Sequence, residues 1–137
     1  MKDTLQIVGC SGKKIWDYDG DDATFYLPAG HVYKGRGFLK ALAQITGPWV
    51  ILSAKYGFIE PEHPICNYDI RLGSAHSISD ASLRAQVRQQ RDWAESDEER
   101  ISVRLIDFQH IVCLNCDRHY IKKIRASFTR NQIHIKE

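Results

Sequence analysis

Three short, largely apolar runs, Leu5-Gln-Ile-Val8, Trp49-Val-Ile-Leu52 and His110-Ile-Val-Cys-Leu114, each stop abruptly at a polar segment. They are too short for helices and too continuous for strands with one wet face, so they read as strands covered on both sides. Between them lie segments of helical period. Phe38, Leu39, Leu42, Ala43 and Ile45 run up to a Gly47-Pro48 stop, and Leu83 and Val87 follow a Ser79 or Asp80 cap. Tyr120, Ile121, Ile124 and Phe128 follow an Asp117 cap, and residues 132–136 read as a last strand. Ser96 with Glu99 forms a capping box, which predicts a further helix with Ile101, Leu105 and Phe108 inward. Strands that alternate with helices call for a parallel sheet joined by crossovers. The expected fold is one α/β domain over residues 1–137, a three-layer α/β/α arrangement with about four parallel strands.

Parallel strands place their carboxyl ends on one edge, where open α/β sheets handle ligands. Here that edge would collect Gly9-Cys-Ser-Gly-Lys-Lys14, Ser53-Ala-Lys-Tyr-Gly57 and Asn115-Cys-Asp-Arg-His119. Two long polar connections, residues 10–36 and 57–78, flank it. The second carries Pro61, Pro64 and Gly73 and reads as an ordered loop.

At 137 residues the chain can bury roughly two-thirds of the surface its unfolded form exposes. No apolar stretch approaches the length of a membrane span. Met1-Lys2-Asp3 leads into the first strand without a signal-peptide core, so a cytoplasmic location and no membrane partner are expected. The formal net charge of +2 is too small to establish a polyanion partner. Charge is clustered nonetheless: acids at 17–22 and 95–99, bases at Lys13-Lys14, Lys34/Arg36, Arg84/Arg88/Arg91 and Lys122–Arg125. Each cluster taken alone reads as a solvated face. The oligomeric state is not legible.

The four cysteines, Cys10, Cys66, Cys113 and Cys116, make no disulfide framework in a chain of this size. Cys113 and Cys116 followed by His119 have zinc-like local spacing, but a fourth ligand would have to come from far along the chain. Cys113 also lies within an apolar strand. Buried or partly buried free thiols are the better reading, and neither a metal nor a cofactor is expected.

"VGCSGKK" places two glycines, a hydroxyl and two cations just after a strand. Backbone amides exposed at such a turn, beside Ser11, Lys13 and Lys14, suit a phosphate or carboxylate. The spacing of a P-loop is absent, and a plain turn with surface lysines explains the segment equally well. Residues 53–71 concentrate Lys55, Tyr56, Asn67, Tyr68, Asp69 and Arg71. A lysine near an aspartate can hold it charged or tune its pKa, and tyrosines offer flat faces to a base. Alternatively Tyr68 and Ile70 pin the loop to the core while Asp69 pairs with Arg71 or caps a turn.

"IVGCSGKK", "VYKGRGFLKAL" and "WVILSAKYGFIEP…ICNYDIRLG" resemble the small bacterial, archaeal and phage domains of the DUF6884 family. That family's pattern is Cys-Ser-x-x-Lys, Tyr-x-x-x-x-Phe, then Leu-Ser-Ala-Lys-Tyr-Gly with a later Pro-Tyr-Asp. The resemblance picks out Cys10, Ser11, Lys14, Tyr33, Phe38, Ser53, Lys55, Tyr56, Gly57, Tyr68 and Asp69. Asn67 stands where the family has proline. More distantly the chain resembles the DNA-binding peroxide-stress family typified by YaaA. Its layout is also similar to the uracil-DNA-glycosylase-like superfamily, although the Gly-Gln-Asp-Pro-Tyr fingerprint is missing.

These resemblances imply a DNA glycosylase-like hydrolase that releases a modified base, such as the bulky modified cytosines of phage DNA, in anti-phage defence. DNA would be the partner, gripped at its phosphates while one nucleotide is extruded. Asp69 would stabilise the cationic sugar and orient water, and Lys55 would stabilise the departing base. Ser11, Lys13, Lys14 and the row Arg84, Arg88 and Arg91 would hold phosphates, and Tyr56 or Tyr68 would stack on the base. Cys10, Asn67, Arg71 and Asn115 complete the expected binding surface. Two other readings stand beside this one: a non-catalytic DNA-binding protein, and a nucleoside or nucleotide N-glycosidase or deoxyribosyltransferase.

Overall fold

Continuous burial of Leu5, Ile7 and Val8 places the first strand, β1 (Thr4–Gly9), in the middle of a sheet. The computed structural model describes residues 4–10, 14–16, 26–94, 98–129 and 134–136. Short β2 (Leu27–Pro28) leads into helices α1 (Ala29–Val32) and α2 (Arg36–Leu42). Then come β3 (Trp49–Ser53), β4 (Gly57–Ile59) and β5 (Pro64–Ile65). Helix α3 (Asp80–Val87) is followed by β6 (Arg91–Ala94), β7 (Arg100–Val103) and a 3₁₀ turn at Leu105–Asp107. Strand β8 (His110–Leu114), helix α4 (Arg118–Ser127) and β9 (His134–Lys136) complete the order.

The fold is mixed α/β, with a five-stranded, mostly parallel sheet of order β4-β3-β1-β8-β9 and four α-helices among the described residues. β1 pairs in parallel with β3, Ile7 opposite Val50, and with β8, Ile7 opposite Cys113; β8 pairs in parallel with β9. Val50, Ile51 and Leu52 are as fully buried as β1, which is why these strands read as apolar runs rather than alternations. Phe38 and Ala41 bury one side of α2, which packs against β1, while Leu83 and Val87 seat α3 against β4 and α4. An ion pair of 2.6 Å from Lys123 Nζ to Asp80 joins α4 to α3 and holds the Asp80 carboxyl below its ordinary pKa. No helix among the described residues is long and apolar enough to cross a membrane.

Three expectations need correction. First, the sheet is not wholly parallel: β4 runs antiparallel to β3, so the loop expected over 57–78 begins as a hairpin. Gly57, at φ +79°, makes the turn possible, and Ser53 Oγ accepts from the backbone N–H of Lys55 (3.3 Å) and Tyr56 (3.2 Å) inside it. Second, no helix carries Ile101: residues 100–103 form β7, antiparallel to β6, and Leu105 enters a 3₁₀ turn. Ile101, Leu105 and Phe108 fit a helical period, but β-branched Ile101 and Val103 suit a hairpin whose Trp93 packs on Phe108. Ser96, the expected cap, lies outside the described residues.

Third, Arg84, Arg88 and Arg91 do not share a helical face. Helix α3 ends at Val87; Arg88 turns back to donate to Arg84 O (3.0 Å), and Arg91 lies on β6. The Arg91 guanidinium donates to Phe58 O at 2.8 Å and pairs with Glu60 at 3.4 Å, tying β6 to β4. That arginine is an internal tie rather than a phosphate contact.

β1 and β8 approach so closely at their ends that a side chain at Gly9 would run into the backbone carbonyl of Asn115. Gly9→Ala should therefore destabilise the fold by about 1–3 kcal/mol, as overpacking against a rigid backbone does. Urea unfolding would report it; an unchanged midpoint would show that the strands do not approach this closely.

Candidate functional site

β1, β3 and β8 are mutually parallel, so the segments after Gly9, Ser53 and Leu114 share one edge of the sheet. Asn115 makes the turn out of β8 at φ +53°, a conformation asparagine tolerates better than most residues. Its Nδ2 donates to Gly9 O at 3.0 Å, locking the ends of β1 and β8 together. Asp117 then caps α4, accepting from the backbone N–H of His119 (2.9 Å) and Tyr120 (3.2 Å). The cap turns the Tyr120 side chain back toward Cys10.

A chain of hydroxyls runs under this edge. Tyr68 Oη lies 2.7 Å from Tyr33 Oη, 2.8 Å from Ser53 Oγ and 3.8 Å from Cys10 Sγ. Cys10 Sγ is in turn 3.1 Å from Tyr120 Oη, which donates to the Cys10 carbonyl at 3.2 Å. Ser53 Oγ already accepts two backbone N–H groups, so its own proton is available to Tyr68. Tyr68 Oη thus meets two hydroxyls at short range and the Cys10 sulfur at longer range. Burial pushes the hydroxyls of Tyr33, Tyr68 and Tyr120 well above the ordinary tyrosine value, with the Cys10 sulfur adding to the effect.

A cleft of about 730 Å³ opens over the chain. Its lining includes Cys10, Lys14, Tyr68, Asp69, Arg71 and His119. Asp69 is exposed, and among the described residues none bonds or ion-pairs its carboxylate, so the expected Asp69–Arg71 pair does not form. Lys14 is buried, with Nζ 4.6 Å from the centre of the Tyr68 ring. Ile70 and Leu72 add apolar wall. A smaller recess of about 400 Å³ shares Cys10, Asp117 and Tyr120 with this cleft and adds Gly37, Asn115 and Cys116.

The structure thus brings Cys10, Lys14, Tyr68, Asp69 and Arg71 to one cleft, with Asn115 on its margin. Lys55 is not in the lining; it is exposed, with Nζ 5.2 Å from the centre of the Tyr56 ring. Tyr56 stands edge-on to Tyr68 at 5.7 Å, and its hydroxyl lies 3.4 Å from Cys66 Sγ. Burial and that contact push the Tyr56 hydroxyl up to about 12, while the same contact lowers the Cys66 thiol. Tyr68 is buried with Lys14 over its ring, and half-buried Tyr56 carries Lys55 over one face. Asn67 is half-buried beside Tyr68, and Ser11 and Lys13 lie outside the described residues.

None of the four cysteines is joined in a disulfide. The Cys116 thiol is pushed up by its contact with Cys113 and by burial, and donates to Leu114 O at 3.2 Å. Among the described residues no group of three or more histidines, cysteines, aspartates or glutamates is gathered to hold a metal ion. Sequence reasoning missed Tyr120 and His119 as site residues. Tyr120 fits the apolar stripe of α4, and only the turn at Asn115–Asp117 aims it at Cys10.

A family model described as "Family of unknown function (DUF6884)" matches residues 5–137. "Uncharacterized protein YfjM" of Bacillus subtilis (strain 168) is 36% identical over 81 residues. That match covers 53% of this chain and 49% of the relative, so the chain spans about half the length of its curated relative. No solved structure matches.

Tyr68→Phe removes the hydroxyl that bonds Tyr33, Ser53 and Cys10, and should cost about 1–3 kcal/mol in urea unfolding. The wild-type network also sets a pH limit. Tyrosines held protonated by the fold stabilise it fully below about pH 10, and that contribution is lost as pH rises through the folded-state values. For Tyr56 the window runs from the ordinary value up to about 12. Ultraviolet titration should therefore show Tyr33, Tyr68 and Tyr120 ionising only as the fold is lost. Complete tyrosinate formation near the ordinary value, with native circular dichroism retained, would contradict the network.

Proposed function

We propose that this chain, which belongs to the DUF6884 family, hydrolyses the N-glycosidic bond between a modified base and its sugar in DNA. The observation that carries this reading is that the Asp69 carboxylate and the Lys14 ammonium line one cleft at the carboxyl edge of β1, β3 and β8. In the reaction the bond from the sugar C1′ to the base nitrogen breaks, and the base leaves with the electron pair and takes up a proton. Water oxygen bonds to C1′ and releases a proton. Asp69 faces the positive charge that builds on the sugar and orients the water; Lys14 faces the negative charge on the departing base. Lys14 takes the role that the family pattern suggested for Lys55, because Lys55 stands over Tyr56 outside the cleft.

Three further features support the reading. The cleft volume of about 730 Å³ lies within the range of small-ligand sites and accommodates a base with a bulky substituent. Asp69 has no described partner to neutralise it. Four parallel strands with site loops after β1 and β3 suit a uracil-DNA-glycosylase-like layout, from which the antiparallel β4 departs. Tyr68 enters as the floor that positions Lys14, not as a stacking platform.

The test is incubation of the purified protein with modified and unmodified DNA, scoring released bases and abasic sites by mass spectrometry. Asp69→Asn should retain the fold and the affinity for DNA yet slow base release by about a hundredfold or more. Release unchanged in that variant would remove the carboxylate from the mechanism. DNA binding with every base left in place would replace the reading with a non-catalytic DNA-binding protein, and release from free nucleosides alone with a nucleoside N-glycosidase.

A further inference from the structure

Helix α4 presents Arg118, Lys122 and Arg125 at intervals of four and three residues, the spacing that aligns side chains along one helix face. These three line a groove of about 450 Å³ whose remaining lining is Ile121 and Cys116. Arg118, Lys122 and Arg125 are exposed. The adjacent lysine, Lys123, points elsewhere, its ammonium bonded to Asp80 on α3. The basic run at 122–125 is therefore split by the helix: Lys123 ties two helices together, and Lys122 joins Arg118 and Arg125 on the groove.

The groove adjoins the cleft. Cys116 lines both the groove and the small recess beside the cleft, and Cys10, Asp117 and Tyr120 line both recess and cleft. Shared lining residues thus link the cleft of Asp69 and Lys14, through the recess at Tyr120 and Cys116, to the groove with three cations on α4. The acid nearest the groove, Asp117, accepts two backbone N–H groups at the positive end of α4, which offsets its charge. From Arg118 to Arg125 the helix rises about 10 Å, the axial length of about three phosphates along one strand of a duplex.

We propose that the α4 groove is a phosphate-docking track, in which Arg118, Lys122 and Arg125 hold the DNA backbone flanking a nucleotide seated in the cleft. This rests on the reading of the cleft as a site for a nucleotide in DNA. It deepens that reading by naming the residues that hold the DNA backbone outside the cleft, since a free nucleoside would fill the cleft and leave the groove without a function.

The test uses fluorescence anisotropy of a labelled DNA duplex and its single strand across a salt series. The probe variants are Arg118→Gln with Lys122→Gln, and the triple replacement that adds Arg125→Gln; Arg104→Gln, which removes one charge beside the 3₁₀ turn, is the control. We expect the double variant to raise the Kd at least tenfold. It should also lower the slope of log K against log salt by about 0.9 for each duplex phosphate no longer neutralised. The triple variant should lower it further, and the control should leave it unchanged. Base release should show a raised KM with kcat retained, because these cations touch flanking phosphates rather than the reacting atoms. If the double variant binds with unchanged Kd and slope while Asp69→Asn still stops base release, the groove is overturned and the cleft reading stands. If Arg104→Gln weakens binding equally, net charge rather than the groove is responsible, and the proposal fails. If the unmodified protein binds neither form of DNA, both readings fall.

Discussion

Taking the Tyr68 hydroxyl out of water obliges the protein to supply its hydrogen bonds from within, because an unsatisfied buried hydroxyl costs about 1–3 kcal/mol. The partners come from three other places in the chain: Tyr33 before α2, Ser53 at the end of β3, and Cys10 at the end of β1. Meeting that requirement pulls the irregular segment after β5 down onto the carboxyl edge of the sheet. It also determines where the cleft lies, since Asp69, Ile70, Arg71 and Leu72 follow directly and form one wall. Lys14, over the same ring, lines the same cleft. A single buried phenol thus organises both the loop and the charges that line the cleft.

The second organising contact is the close approach of β1 and β8. Gly9 has no side chain where the Asn115 carbonyl passes, and the Asn115 side chain bonds back to Gly9 O. This junction aims the amino end of α4 at the cleft, so that Asp117, His119 and Tyr120 complete its rim. It also sets the direction in which α4 leaves the site, and hence where its outward cations lie. Cleft and groove share residues because both are built around one strand-to-helix turn.

Much of this was legible in advance where local chemistry and burial agree. β1, β3 and β8 were visible as apolar runs because a strand covered on both faces has no polar positions to break it. The Asp117 cap and the stripe of α4 were visible because capping and helical period are local properties. The stretch from 96 to 108 was misleading: Ile101, Leu105 and Phe108 satisfy a helical period, yet a hairpin and a 3₁₀ turn satisfy it too. The row Arg84, Arg88 and Arg91 failed for a similar reason. Its spacing presupposed a helix that stops at Val87, and β4 supplies the carbonyl and carboxylate that hold Arg91.

By itself the sequence determined the class of fold, the edge at which polar segments gather, and the residue types available there: lysines, aspartates, tyrosines and cysteines. Those follow from periodicity and strand direction, which are written along the chain. Only the tertiary structure decided which lysine shares a cleft with the aspartate. Along the chain Lys55 is grouped with Asp69, and Lys14 belongs to a separate turn after β1. The β3–β4 hairpin, however, leaves Lys55 over Tyr56, while the bonds of Tyr68 to Tyr33 and Ser53 bring its ring beneath Lys14. The division of Lys122 from Lys123 has the same origin: adjacent residues on a helix point about 100° apart, and only the position of Asp80 on α3 determines which of them is tied. Such choices depend on where distant segments pack, and no local pattern encodes that.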